Sequence, residues 1–194
     1  TEEMNSNGFV LGPSGSGKSF FVKQELIDVL FKYPNDEIIV IDPDNEYGAL
    51  IQKENFDGEV LKISPNSPTK FNIFDIDLSF VEEGRDAISI KSEFVMTIIE
   101  TAKGIPLDAI EKSIIDRCVR EVYYDFQKSD GKDMSKLPTL TTFYNLLKSQ
   151  QEPEAKQLSL ILELYVTGSF RSFAEHTNIN ISKKFLVFDI FDMG

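Results

Sequence analysis

Cysteine and histidine occur once each, arginine occurs four times, and no apolar run approaches the roughly 18 residues of a membrane-spanning helix. A single cysteine, Cys118, excludes an intrachain disulfide framework and suits a reducing compartment. Its helical neighbours Ile114, Ile115, Val119 and Val122 point to packing rather than reactivity. The lone His176 cannot anchor a metal cluster and lies among polar, loop-forming residues. Arg85, Arg117, Arg120 and Arg171 are too scattered to form the Arg-rich lid of a small-molecule kinase. With 20 basic against 32 acidic residues the net charge is −12, which argues against a broad nucleic-acid surface and confines any DNA contact to a local patch. The first residues carry no apolar signal-peptide core, so a cytoplasmic location is expected.

The 194 residues, 41% of them hydrophobic, suffice for one sizeable core and a small second domain, without internal repeats or low-complexity tracts. The most specific segment is Gly12-Pro13-Ser14-Gly15-Ser16-Gly17-Lys18-Ser19, a complete G-x-x-x-x-G-K-S phosphate-binding loop. Small residues expose successive backbone N–H groups to phosphates, Lys18 has the reach for β/γ oxygens, and the Ser19 hydroxyl suits Mg²⁺. The N–H groups of Gly17 to Phe20 open the following helix, where the helix dipole also favours an anion. A Gly/Ser turn could match by accident. The flanks oppose that: Phe9-Val10-Leu11 reads as a short buried strand, and Phe21, Leu26, Val29 and Leu30 recur near helical spacing through Tyr33.

Beyond Tyr33-Pro34-Asn35-Asp36, the run Ile38-Ile39-Val40-Ile41 predicts a strand covered on both faces, ending at Asp42-Pro43-Asp44-Asn45-Glu46-Tyr47. Strand, loop, helix and strand then make a right-handed βαβ unit, with ligands at the carboxyl ends of the strands. A short helix is expected over Asn45 to Ile51 and a strand over Glu59 to Ser64. From about Val81 the periodicity turns helical and stops at Gly104 and Pro106. Asp108 and Glu111 resemble a capping box for a helix with Ile110, Ile114, Cys118, Val122 and Phe126 at successive fours. Lys128 to Lys136 reads as a polar loop tip, Thr139 or Thr141 as a helix cap, and Pro153 as the first residue of a helix running to Val166. Lys184 to Ile190 returns to strand composition.

Two acidic positions could supply hydrolytic chemistry, which needs a strand-terminal Asp for Mg²⁺ and a carboxylate to polarise water. Asp42 ends the strand after the loop helix, with Glu46 four residues on; the competing reading of Asp42 is a turn residue before Pro43. Asp189 ends the last apolar strand, but Ile190 follows it, so it stands only as a metal candidate without a water-activating neighbour.

Taken together, several segments resemble the large ATPases of conjugative transfer and type IV secretion, within the HerA/FtsK group of P-loop motors. They are Leu11 to Phe20, Ile41 to Tyr47, Ile63-Ser64-Pro65-Asn66-Ser67 with Phe71-Asn72-Ile73-Phe74, Pro138-Thr139-Leu140 with Phe143-Tyr144, Thr167-Gly168-Ser169, Thr177-Asn178-Ile179 and Phe188-Asp189-Ile190. The resemblance implies an α/β fold: a RecA-like P-loop core with a partial sheet (residues 1–78), an all-helical insertion subdomain (79–180) and a return strand (181–194). Gly12, Pro13, Ser14, Gly15, Ser16, Gly17, Lys18, Ser19 and Phe20 would then bind ATP, with Mg²⁺ on Ser19. It further implies ATP hydrolysis coupled to channel assembly and export, hexamer formation, channel-protein partners, DNA contact through regions not present here, and a place at the inner face of the cell membrane. The family's Asp-Glu motif follows the segment ending at Asp189, so the chain is expected to be a fragment that binds ATP but turns it over poorly. A DNA translocase or helicase, and a nucleotide-gated interaction module without turnover, are the alternatives.

Overall fold

A computed structural model describes residues 7–54, 57–65, 67–82, 84–179 and 183–193. In chain order the elements are α1 (Lys18–Lys32), β1 (Ile38–Asp42), α2 (Gly48–Glu54), β2 (Gly58–Lys62), β3 (Val81–Glu82), β4 (Arg85–Asp86), α3 (Ala87–Lys103), α4 (Ala109–Lys128), α5 (Leu140–Ser149), α6 (Pro153–Val166) and β5 (Phe185–Asp189). They fall into two compact units, Thr1–Ile63 with Asn180–Gly194, and Ser64–Ile179. None of the helices described is long and apolar enough to cross a membrane.

The first unit is a three-stranded parallel sheet in the order β1-β5-β2, with Asp42 in register with Asp189 and Lys62 with the same residue. Its sequence-distant central strand is therefore supplied by the last apolar run. On one face Phe185 and Val187 are buried with Ile51 of α2, and Leu26, Leu30, Ile38, Val40, Tyr47, Leu50 and Val60 pack around them. Fully burying a side chain such as Phe185 or Val187 contributes roughly 1.5–3 kcal/mol, and the partly buried ones less. Two expectations fail here. Ile39 and Ile41 are 64% and 68% exposed, so β1 is covered on one face only, as an edge strand of this sheet. Phe9-Val10-Leu11 forms no strand, and Phe9 is 90% exposed: among the described residues no neighbouring strand offers its backbone a ladder, and the βαβ unit lacks its first member.

The second unit is helical around Phe74, Ile99, Ile115, Tyr123, Phe126, Phe143, Leu147 and Leu158, all buried. Phe74 lies 5.4 Å from the Phe143 ring and 6.0 Å from that of Tyr123, whose buried hydroxyl donates to the Phe74 carbonyl. Segment 64–78, which the expected division gave to the P-loop core, thus belongs with the helices: its Phe74 fills their centre, and the boundary falls at 63/64. The helix expected from about Val81 begins instead at Ala87. Gly84, at φ 78°, turns a small β3–β4 hairpin, and the Asp86 carboxylate then accepts the Ile88 and Ser89 N–H groups to start α3. Gly104 in the left-handed region closes α3, and α4 opens on the anticipated box, with Asp108 and Glu111 each satisfying the other's backbone N–H. Glu111, almost fully buried, also receives Lys103 Nζ at 2.7 and 2.6 Å, tying the two helices at their turn. Ile110 departs from its predicted stripe, being 57% exposed, while Ile114, Cys118 and Phe126 are buried. Thr139 caps α5, and Pro153 stands at the start of α6.

Candidate nucleotide-binding site

The loop from Gly12 to Gly17 is exposed and lightly held: Ser16 N–H donates to the Pro13 carbonyl at 3.3 Å, and Lys18 Nζ to the same oxygen at 2.9 Å. Gly15 and Gly17 take φ of 77° and 89°, the left-handed region in which a side chain is disfavoured. That backbone turns the chain abruptly into α1, whose N-cap is Gly17. The cap has no side-chain acceptor and the first turn has no acidic residue. Orphan amides and the positive dipole end are therefore left uncompensated, which is the chemistry of an anion site. Lys18 and Ser19 are half-buried at the helix start and Phe20 is 74% exposed. Among the described residues no hydrogen bond or ion pair joins Lys18 or Ser19 to Asp42, Glu46 or Asp189.

Asp42 and Asp189 meet as register partners at the carboxyl end of the sheet, both buried. Both carboxylate oxygens of Asp42 and one of Asp189 are occupied by the chain's own turns. Asp42 accepts the Glu46 N–H at 3.0 Å on one oxygen and the Tyr47 N–H at 2.8 Å on the other, while its carbonyl accepts the Ile190 N–H at 3.1 Å. Asp189 accepts the Phe191 N–H at 3.0 Å. For Asp42 the turn role accounts for both carboxylate oxygens. Glu46 is exposed, on the turn that Asp42 clasps and next to Asn45 in the left-handed region at φ 53°.

Three neighbours of this end, Lys23, Tyr47 and Lys62, were not legible as site residues. Lys23 of α1 lies over the Tyr47 ring, 5.4 Å from its centroid, linking the helix that begins at the loop to the turn that carries Glu46. Burial raises the Tyr47 hydroxyl above its ordinary pKa, and Glu46, Asp42 and Asp44 raise it further. Lys62 pairs with Asp192 at 2.6 Å beside the strand ends, and that hydrogen bond raises the Lys62 pKa. A Tyr five residues after a strand-ending Asp, and a Lys five after the loop Lys, carry no pattern that singles them out; only the fold brings them together. In the other unit His176 is exposed and burial pushes the Cys118 thiol up to about 11, consistent with a packing cysteine. No metal-holding group of His, Cys, Asp and Glu occurs among the described residues.

The family model described as the TraG P-loop domain matches residues 2–164, most of the chain. The chain belongs to the TraG P-loop domain family. As such it is a P-loop NTPase domain of the conjugative-transfer type. The TraG P-loop domain is also similar in structure to VirB4 of Thermoanaerobacter pseudethanolicus, with a TM-score of 0.73 and 23% identity over 91% of this chain. It spans 66% of that chain. This likeness speaks to the fold, a mixed α/β P-loop architecture with a small parallel sheet and several helices. No curated protein matches the sequence.

Proposed function

We propose that this TraG P-loop domain is the ATP-binding motor of a conjugative or type IV secretion ATPase, coupling hydrolysis to channel assembly and to export of substrate. The observation that carries the reading is the family-matched loop set on a helix start with no competing cap or acid. In this account the backbone N–H groups of Gly12 and of Ser14 to Phe20 cradle the phosphates, and Lys18 exchanges the Pro13 carbonyl for β/γ oxygens. Ser19 fits Mg²⁺: its hydroxyl is a hard oxygen donor and has no hydrogen-bond partner among the described residues. When bound, the ion would draw charge from the β and γ phosphates. Glu46 is the exposed carboxylate that polarises the attacking water, and Asp189 is the second candidate near the metal. Channel proteins as partners, a hexameric state and a cytoplasmic place at the membrane belong to the same proposal. The acidity of the chain, −12, favours a secretion motor over a DNA-tracking translocase.

The test is single-turnover phosphate release from ATP and Mg²⁺ by the 194-residue chain. Slow release that Glu46→Gln removes without weakening nucleotide affinity supports the assignment. Release unchanged in Glu46→Gln overturns it.

A further inference from the structure

Asp42 is wholly buried, yet among the described residues it makes no ion pair; each carboxylate oxygen instead accepts one of two successive amides, Glu46 N–H at 3.0 Å and Tyr47 N–H at 2.8 Å. A buried carboxylate that ends a strand and closes on amides four and five residues ahead fixes the whole intervening turn. Charge-assisted hydrogen bonds of this kind are roughly twice as strong as neutral ones. The turn needs such a clasp, because Asn45 sits at φ 53°, which costs about 1–2 kcal/mol for a residue with a side chain and less for Asn. Its far end is anchored twice. Tyr47 packs among Leu26, Leu30 and Val60 around Phe185, and its ring receives Lys23 of α1.

We infer that Asp42 is a positioning residue for Glu46: it holds the peptide from which the Glu46 side chain leaves, and through Tyr47 and Lys23 it ties that peptide to the helix that begins at the phosphate loop. The inference rests on the reading of Glu46 as the water-polarising carboxylate. It assigns Asp42 no contact with nucleotide, metal or water. Placement matters here because a misplacement of about 1 Å in a reacting group can cost on the order of a hundredfold in rate.

Asp42→Asn keeps size and one acceptor but turns an amide toward the second N–H. The expected result is a fall in single-turnover release of about tenfold or more, unchanged nucleotide affinity, and loss of hydrogen-exchange protection at the Glu46 and Tyr47 amides. A slowed rate with both amides still protected would mean that Asp42 acts on the chemistry itself, and would overturn the inference. Lost protection with a wild-type rate would overturn it from the other side. Asn45→Val, exposed and outside the sheet, strains the same turn without disturbing a buried carboxylate; it should slow release while leaving affinity near wild type and lowering the melting temperature by only a few degrees, and a wild-type rate contradicts the inference. Glu46→Gln run in parallel separates the two claims. If that variant keeps the wild-type rate, or if the wild type releases no phosphate, the Glu46 reading fails and the positioning role falls with it; if only the Asp42 and Asn45 results fail, the Glu46 reading stands alone.

Discussion

Gly17→Ala isolates what the backbone of the phosphate loop contributes. At Gly17, φ is 89° and ψ is 13°, and an added Cβ meets nothing within 4 Å. The substitution is therefore free of collision and carries only the left-handed strain of an L residue, about 1–2 kcal/mol. Where that strain appears depends on what the empty loop can do. Residues 12–17 are exposed and the loop's internal backbone bond is the weak Ser16–Pro13 contact at 3.3 Å, so the empty loop can relax out of the strained geometry. The nucleotide-bound loop cannot, because its amides must converge on phosphate. The strain then falls on binding, a loss of about 5- to 30-fold in affinity with little change in melting temperature. Fluorescent-nucleotide titration reads the first quantity and thermal unfolding the second. Asn, which tolerates this region, should lose less than Ala, and Val more. Gly12→Ala is the contrast: there a Cβ would stand 2.5 Å from Ser16 Oγ, the free end of a side chain that can rotate away. Equal affinities for Gly17→Ala, Gly17→Asn and Gly17→Val would refute the argument, as would a loss confined to melting temperature.

Two further outcomes concern the helical unit. Glu111→Ala removes the acceptor of Lys103 Nζ and of the Asp108 N–H, and should destabilise by about 3 kcal/mol, the low end for a broken buried pair because Lys103 keeps some solvent; a chemical-denaturation difference below about 1 kcal/mol would contradict this. Asp86 has its pKa lowered chiefly by the Ser89 amide, then by the Ser89 hydroxyl, with burial opposing. A carboxyl lowered in the folded state stabilises above its unfolded pKa, and that stability is lost as pH falls through the folded value, hence below about pH 4. Asp86→Ala should cost about 1 kcal/mol at neutral pH, and its gap to wild type should close in acid; a pH-independent gap would count against the cap.

Residues whose neighbours in sequence settle their role were readable in advance. The P-loop and α1, the Asp108–Glu111 box, the Thr139 cap, Pro153 at the head of α6 and the strand at Phe185–Asp189 all depend on spacing within a few positions, and all stand where expected. What escaped depends on partners far along the chain. Phe9-Val10-Leu11 has strand composition, but a strand needs a ladder. Ile39 and Ile41 read as buried because apolar runs usually have cover on both sides. Phe74 looks like the tail of an α/β core until Tyr123 and Phe143 close around it. Asp42 was placed correctly at a strand end, yet its bonding to the Glu46 and Tyr47 amides is a matter of side-chain direction.

Everything proposed for this P-loop domain depends on its loop holding a nucleoside triphosphate through Lys18. Calorimetric titration of the chain with ATP and Mg²⁺, beside Lys18→Ala, tests it most directly. One site per chain is expected, with a loss of about tenfold or more on removing a charged hydrogen-bond donor. Equal affinity in the two proteins, or no binding by the wild type, would contradict it.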